Sequence, residues 1–217
     1  MLPRGLTKLG FYLLYHQLAF TYELVAWLVS FGQWAAWRRL ALLKMQPGPT
    51  LELAYGTGVF FLDMLAAGHR PVGLDRSPYM AQQAGRRLRH QNYALPLCQA
   101  QAQAIPFPSG HFVNVIATFP TDYMLQPDTL TEIKRVLRIT DPTEDSRSQL
   151  IIVAEGLLRG PWPLRPLINW LYKITNQRSV SPEQPLKLLA AHDFDACWEI
   201  VEQDGAQARL LIASKRT

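Results

Sequence analysis

The 217-residue sequence contains only two cysteines, and their placement excludes two common roles. Cys98 and Cys197 lie far apart and form none of the paired spacings that hold a zinc ion. We therefore predict no metal site. Cys98 lies in an apolar run and Cys197 lies beside Trp198, so we expect both to be reduced core residues, which suits a cytoplasmic protein.

Charge is also scarce, since 18% of the residues are charged and 48% are hydrophobic, with a net charge of +5. This is an ordinary globular composition and does not indicate disorder. The densest basic cluster lies at the end of a predicted helix, where the helix dipole favours cations. We interpret the cluster as a solvated helix face and predict no nucleic-acid binding. It consists of Arg86, Arg87, Arg89 and His90.

No long apolar run is free of charge, because Glu23 lies within the mostly apolar residues 11–37. A membrane-spanning helix needs about 20 predominantly apolar residues, and a carboxylate near its middle is costly. We predict two amphipathic helices, broken near residues 30–32, that pack on the domain. Peripheral contact with a membrane surface is the alternative. The sequence also lacks the apolar stretch and cleavage site of a signal peptide.

Apolar segments of strand and helix character alternate along most of the chain, which predicts a mostly parallel sheet covered on both faces. Two final strands at residues 197–203 and 208–214 flank Asp204-Gly205, a strong signal for an antiparallel hairpin. The predicted fold is a doubly wound, seven-stranded, Rossmann-like α/β sheet. The other predicted strands are 50–54, 71–74, 95–98, 112–118 and 150–154, and the helices are 59–67, 77–92 and 130–138.

We expect one domain over residues 1–217. Residues 1–46 would form a helical cap over the site, and residues 47–217 would form the α/β core. Residues 156–181 include an aromatic, proline-rich stretch. This stretch is either a lid that helps to wall a pocket for a hydrophobic molecule or simple packing over the sheet edge.

Residues 51–58, with the sequence Leu-Glu-Leu-Ala-Tyr-Gly-Thr-Gly, place a strand directly before a glycine turn and a helix. Glycines let a ligand approach the main chain, and the helix that follows offers free N–H groups. The dinucleotide fingerprint needs a further glycine three residues after Gly58, but Phe61 stands there. A nicotinamide or flavin cofactor is therefore disfavoured. Asp75, at the end of the second strand, can accept hydrogen bonds from the ribose of an adenosine or can cap a helix.

This ordered set of motifs resembles class I S-adenosylmethionine-dependent methyltransferases. The motifs are residues 51–58, Val-Gly-Leu-Asp-Arg-Ser-Pro at 72–78, and the segments 99–108, 112–119 and 132–138. The small-molecule branch that includes the ubiquinone and menaquinone C-methyltransferases is the most similar. The resemblance covers nearly the whole chain. It implies S-adenosylmethionine as the cofactor and methyl transfer to a small, hydrophobic acceptor.

The resemblance also implies roles for individual residues. Glu52 would orient the loop and the methionine amino group, and Asp75 would hold the ribose, with Arg76 over the adenine. Gln101 and Ala102 would read the adenine edge. The complete predicted cofactor-binding set is Glu52, Ala54, Tyr55, Gly56, Gly58, Asp75, Arg76, Gln101, Ala102 and Phe119.

Several positions depart from the family pattern. Glycine is usual where Ala54 stands, and aspartate is usual at the positions of Gln101 and Val113. The amide oxygen of Gln101 can still accept a hydrogen bond. Residues 139–149 replace a Pro-Gly-Gly turn. These departures define the alternative, a catalytically inactive relative that serves as a binding or scaffold protein.

The catalytic residues are less well defined. The sulfonium carbon is already activated, so a general base is needed only where the acceptor must lose a proton. Asp122 and Tyr123 are candidates because they follow the fourth strand. His111 and His192 are more remote candidates, for which we favour a surface or capping role.

Overall fold

Seven strands form one sheet, and most of their residues are the branched and aliphatic side chains that pack well on a pleated surface. The computed structural model describes residues 30, 32–94, 96–139, 147–157 and 182–216. The strands are β1 (Thr50–Leu53), β2 (Pro71–Asp75), β3 (Leu97–Gln99), β4 (Asn114–Thr118), β5 (Gln149–Leu157), β6 (Phe194–Gln203) and β7 (Ala206–Lys215).

The order of strands across the sheet is β3-β2-β1-β4-β5-β7-β6. The strands from β3 to β5 are mutually parallel, whereas β7 runs antiparallel to both β5 and β6. The predicted doubly wound sheet with a terminal antiparallel hairpin is therefore confirmed. Chain order reverses between β1 and β4, and sheets of this kind bind ligands beyond the carboxyl ends of the strands at that point.

Helices cover both faces of the sheet. Successive residues of a strand point to opposite faces, so each central strand contributes side chains to the core on both sides. Val115 packs on one face with α4 and α5, and its neighbour Ile116 packs on the other face with α1, α2 and α3. The helices are α1 (Trp34–Arg39), α2 (Val59–Ala66), α3 (Pro78–His90), α4 (Pro127–Val136) and α5 (Glu183–Ala191), with 3₁₀ turns at Leu40–Lys44 and Asp122–Leu125.

Two contacts hold α1 and the turn after it against the sheet. The Trp37 ring lies directly over Gly156 of β5, which leaves no room for a Cβ at that position. The Asn114 side chain accepts a hydrogen bond from the Gln46 backbone N–H at 3.0 Å and donates to its carbonyl at 2.8 Å. These contacts fix the segment before β1 to the start of β4 and to the end of β5.

Some predicted boundaries were wrong. Helix α4 begins three residues before the predicted start because Pro127 occupies its first position, where proline is tolerated. It ends at Val136, since Leu137 leaves the helix and pairs with Phe112. Strand β5 continues through a bulge to Leu157, so the predicted lid cannot begin at residue 156. Helix α5 was not predicted.

The two cysteines also differ from the prediction. Both are free, but Cys98 is half-buried and Cys197 is exposed. On the edge strand β6, Ala196 and Trp198 pack against the core, so the intervening Cys197 points to the opposite side. Placing Cys197 in the core was therefore wrong. Most of the predicted N-terminal helices and residues 158–181 lie outside the described residues.

Candidate functional site

The loop between β1 and α2 turns through three residues with positive φ. These angles are 55° at Ala54, 56° at Gly56 and 76° at Gly58. The left-handed region costs a residue with a Cβ about 1–2 kcal/mol. This strain at Ala54 gives a physical reason for the glycine that is usual in the family. The loop also tolerates no Cβ at Gly58, since it would lie 2.8 Å from the Cβ of Ala84 in α3.

Tyr55 contributes its backbone to this loop, while its side chain packs into the core. The ring lies over Gly73 of β2, where an added Cβ would be 2.6 Å from the Tyr55 Cδ1. Among the described residues its hydroxyl has no hydrogen-bond partner. Burial, with a smaller contribution from the Asp75 charge, raises the pKa of Tyr55. The Tyr55 hydroxyl therefore stays protonated at neutral pH and cannot serve as a base.

Asp75 lies at the carboxyl end of β2 and joins the loop to the start of α3. One carboxylate oxygen accepts a hydrogen bond from the Gly56 N–H at 2.9 Å, and the other accepts from the Ser77 N–H at 2.8 Å. The side chain is buried, and this burial raises its pKa against the opposing effect of the backbone donors. Ser77 caps α3 by accepting from the Met80 N–H. The Arg76 N–H is a third backbone donor to this carboxylate, so only part of its acceptor capacity remains for a ligand.

Glu52 is the most deeply buried acidic residue of the site, with 1% of its surface exposed. It lies between Leu51 and Leu53 and points to the face of the sheet covered by α1 and α2. Its Oε2 atom has no hydrogen-bond partner within the described part of the chain. Burial raises the pKa of Glu52 well above its usual value, opposed by the charge of Arg38 and reinforced by Asp75 and Asp63.

The predicted adenine-reading segment lies beside Asp75 and Arg76. Strand β3 pairs with β2 so that Gln99 is opposite Asp75, and the Gln99 side chain donates to the Arg76 carbonyl at 3.3 Å. Gln101 is exposed and Ala102 is buried two and three residues later. The exposed Gln101 amide can therefore reach a ligand at the rim. The departure at Val113 does not alter this rim, since Val113 packs on Gly48 at the opposite edge.

Phe119 follows β4 with a φ of 49°. Its ring stacks on Trp34 of α1, with ring centroids 4.0 Å apart and an angle of 31° between the planes. Neither ring is fully buried. The two stacked rings form an aromatic wall at the carboxyl end of β4. This wall joins Phe119, which was predicted to line the site, to Trp34 of α1.

The catalytic candidates lie in two different places. Asp122 and Tyr123 form the start of a 3₁₀ turn just past Phe119, with Asp122 exposed and Tyr123 half-buried. His111 packs edge-on against Phe112, ahead of β4, and His192 ends α5 with its Nδ1 2.9 Å from the Leu188 carbonyl. Both histidines therefore lie at the amino ends of the parallel strands, on the side away from the loop.

Two arginines of the site had no signal in the motifs. Arg38 pairs with Asp63 of α2 at 3.1 Å, and its charge reaches Glu52. Arg87 had been interpreted as part of a solvated face, but it is half-buried and hydrogen-bonded to Thr57, so that interpretation was wrong for this residue. Residues three apart are neighbours on a helix, so the sequence does place Arg87 beside Ala84. Only the structure shows that this face of α3 packs against the loop.

In the described ranges no group of three or more metal-ligating side chains comes together. The helices that the structure describes are also too short or too polar to cross a membrane.

Comparison with known proteins shows what the central segment is similar to. Residues 50–140 match the family model for the methyltransferase domain. Over 130 residues the chain is 34% identical to the demethylmenaquinone methyltransferase of Thermus thermophilus, covering 57% of this chain and 59% of that protein. It is 28% identical over 135 residues to the ubiquinone/menaquinone biosynthesis C-methyltransferase of Cupriavidus necator, covering 57% and 54%. The chain thus matches a little over half the length of these relatives.

Solved structures agree on the fold. A protein from Pyrococcus horikoshii superposes with a TM-score of 0.59 at 20% identity, covering 81% of this chain and 86% of that one. The geranyl diphosphate C-methyltransferase of Streptomyces coelicolor, solved with S-adenosylhomocysteine, gives a TM-score of 0.56 at 16% identity, covering 78% and 73%.

Proposed function

We propose that this chain, whose residues 50–140 belong to the methyltransferase domain family, transfers the methyl group of S-adenosylmethionine to a small apolar acceptor. The observation that carries the proposal is the pairing of the glycine loop with two buried carboxylates. Glu52 lies in β1, directly before that loop, and Asp75 ends the adjacent strand β2. This arrangement suits a ligand that combines a ribose with an amino acid.

The orphaned oxygen of Glu52 supports this cofactor. An unpaired buried polar atom costs about 1–3 kcal/mol, so a partner that arrives with a ligand is favoured. The ammonium group of the methionine moiety carries donors of the required charge. The remaining acceptor capacity of Asp75 suits a ribose hydroxyl, and the exposed Gln101 amide suits the adenine edge.

When bound, S-adenosylmethionine supplies a methyl group on a positively charged sulfur. The protein must align an acceptor atom with that methyl group, and orientation alone supplies much of the acceleration. Asp122 lies just past Phe119, where its carboxylate can receive a proton from an acceptor that must lose one. We assign the role of general base to Asp122, because it is exposed and carries a carboxylate.

We further propose that the acceptor is a planar, apolar ring of the reduced-quinone type. The stack of Trp34 on Phe119 offers the flat aromatic surface that such a ring contacts well. The names of the two relatives described above refer to demethylmenaquinone and to ubiquinone and menaquinone biosynthesis. A cap of residues 1–46 over this wall, a lid within residues 156–181 and a cytoplasmic location stay predictions.

The test is calorimetric titration of the purified chain with S-adenosylhomocysteine, followed by a methyl-transfer assay with quinols and other apolar phenols. We expect micromolar binding that Asp75→Ala abolishes and Asp128→Ala leaves intact. Asp128 is the matched control because it is an exposed aspartate on α4. No binding by the folded wild-type chain would refute the proposal. Binding without transfer to any acceptor would identify the inactive relative instead.

A further inference from the structure

Arg87 connects helix α3 to the loop that precedes α2. Its Nη1 atom donates to the Thr57 carbonyl oxygen at 2.9 Å and to the Thr57 hydroxyl at 3.1 Å. Thr57 stands between Gly56 and Gly58, at the centre of the loop. A guanidinium from a helix thirty residues further along the chain therefore holds the middle of the predicted cofactor loop.

The arrangement is specific to Arg87 within its basic cluster. Arg86 and Arg89 are exposed, whereas Arg87 is half-buried. Ala84, Arg87 and Leu88 share one helix face because residues three and four apart are neighbours on a helix. Ala84 lies directly under Gly58, so α3 contacts two consecutive loop residues.

The loop is thus held from two sides. Asp75 accepts from the Gly56 N–H at 2.9 Å, and Arg87 donates to the carbonyl of the next residue. Glycines lose more conformational freedom on ordering than any other residue. A loop with two glycines therefore gains ligand affinity when the protein fixes its backbone in advance, since binding then has less entropy to overcome.

We propose that Arg87 is a positioning residue for the cofactor: it fixes the Thr57 peptide so that the loop is already in its binding conformation. This inference rests on the proposed function, because it assumes that the loop binds S-adenosylmethionine. Arg87 itself does not touch the cofactor. Its removal therefore weakens cofactor binding through the loop alone.

The experiment compares Arg87→Met, which keeps most of the apolar stem, with Arg87→Lys and with Arg86→Met as the matched control. Calorimetry measures the Kd for S-adenosylhomocysteine, and thermal unfolding measures the Tm of each protein. We expect Arg87→Met to raise the Kd about tenfold and Arg87→Lys to raise it less, because lysine keeps a charged donor. Arg86→Met should leave the Kd unchanged.

Hydrogen exchange separates positioning from simple stabilisation. Arg87→Met should speed amide exchange of residues 54–58 in the free protein, and saturating S-adenosylhomocysteine should restore protection. Thr57→Val and Arg87→Met together should weaken binding by less than the product of their separate effects. The inference is wrong if Arg87→Met and Arg87→Lys both fold and bind like the wild type, or if Tm falls while the Kd is unchanged. Failure of the wild type to bind would instead refute the proposed function.

Discussion

The half of the site built on β1 and β2 and the half built on β4 and β5 hold their functional side chains in different ways. In the first half, Asp75 and Glu52 are fixed by strands, backbone donors and burial within short stretches of sequence. In the second half, Trp37 of α1 packs on Gly156 of β5. The adjacent aromatic wall brings Trp34 together with Phe119, which lies far from it along the chain. The proposed polar recognition of the cofactor is thus local, and the proposed acceptor recognition depends on packing between distant segments.

The largest effect should come from Gly58→Ala, which attacks the local half. The new methyl group would need a φ near 76° and would lie 2.8 Å from the Ala84 Cβ. Left-handed strain and overpacking together should lower the free energy of unfolding by about 2–4 kcal/mol. Chemical denaturation measures this loss, and binding of S-adenosylhomocysteine should weaken with it.

Adding Ala84→Gly to this variant separates the two causes. The second substitution removes the steric contact and leaves the backbone strain, so it should recover part of the lost affinity. If Gly58→Ala alone keeps full stability, the tight approach of α3 to the loop is not a feature of the protein in solution.

The next largest effect should come from Trp34→Ala, which attacks the acceptor half. Loss of the stacked ring should cost about 1–3 kcal/mol of stability, less than a fully buried tryptophan, because Trp34 is only half-buried. The KM for an aromatic acceptor should rise, while the Kd for S-adenosylhomocysteine stays within a factor of about two to three. An equal loss for acceptor and cofactor would show that the two halves are not separable. Trp34→Phe should retain most of the acceptor affinity.

A smaller effect concerns the pH dependence of Glu52. Because burial raises its pKa in the folded chain, the folded protein binds more protons than the unfolded one above pH 4.5. The stabilising contribution is therefore complete below pH 4.5 and is lost as pH rises through the raised pKa. Glu52→Gln should abolish this loss, so its Tm should fall less than the wild-type Tm as pH increases.

Three charged neighbours face Glu52, namely Arg38, Asp63 and Asp75. The pKa of Asp75 is also raised, and it contributes a slope of the same sign in both proteins. The difference between the two Tm curves therefore isolates Glu52. Parallel curves would show that Glu52 does not titrate in this range. Cofactor binding should also release a proton from wild type, measured by calorimetry in buffers of different ionisation enthalpy, and not from Glu52→Gln.

The sequence predicted in detail the features that neighbouring residues determine. The strand-turn-helix pattern at residues 51–58 and the Asp-Gly hairpin located features that are set by neighbouring residues, since Asp204 and Gly205 have φ of 51° and 79°. The resemblance to class I methyltransferases is confirmed for residues 50–140. The roles of Gln101, Ala102 and the other predicted cofactor-binding residues stay predictions.

The missed features all depend on contacts between distant segments. Arg87 meets Thr57 only after α3 packs under the loop, and a basic cluster in a sequence gives no sign of which arginine turns inward. Cys197 was misplaced because an edge strand exposes one of its two faces, and strand order is not visible in the local pattern. Helix α5 has Pro182 at its N-cap and Pro185 in its first turn, and these prolines obscure the apolar periodicity of a short helix.

The smallest expected effect has the opposite sign and concerns Ala54. Its φ of 55° is strained for alanine, so Ala54→Gly should stabilise the protein even though glycine makes the unfolded chain more flexible. The net gain should be about 0.5–1 kcal/mol, read from chemical denaturation. Ala67→Gly is the matched control, since Ala67 has a φ of −81° at the end of α2 and should lose stability on the same change. If both substitutions destabilise, the loop of the free protein does not hold Ala54 in the left-handed region, and its fixation would then have to come from the cofactor.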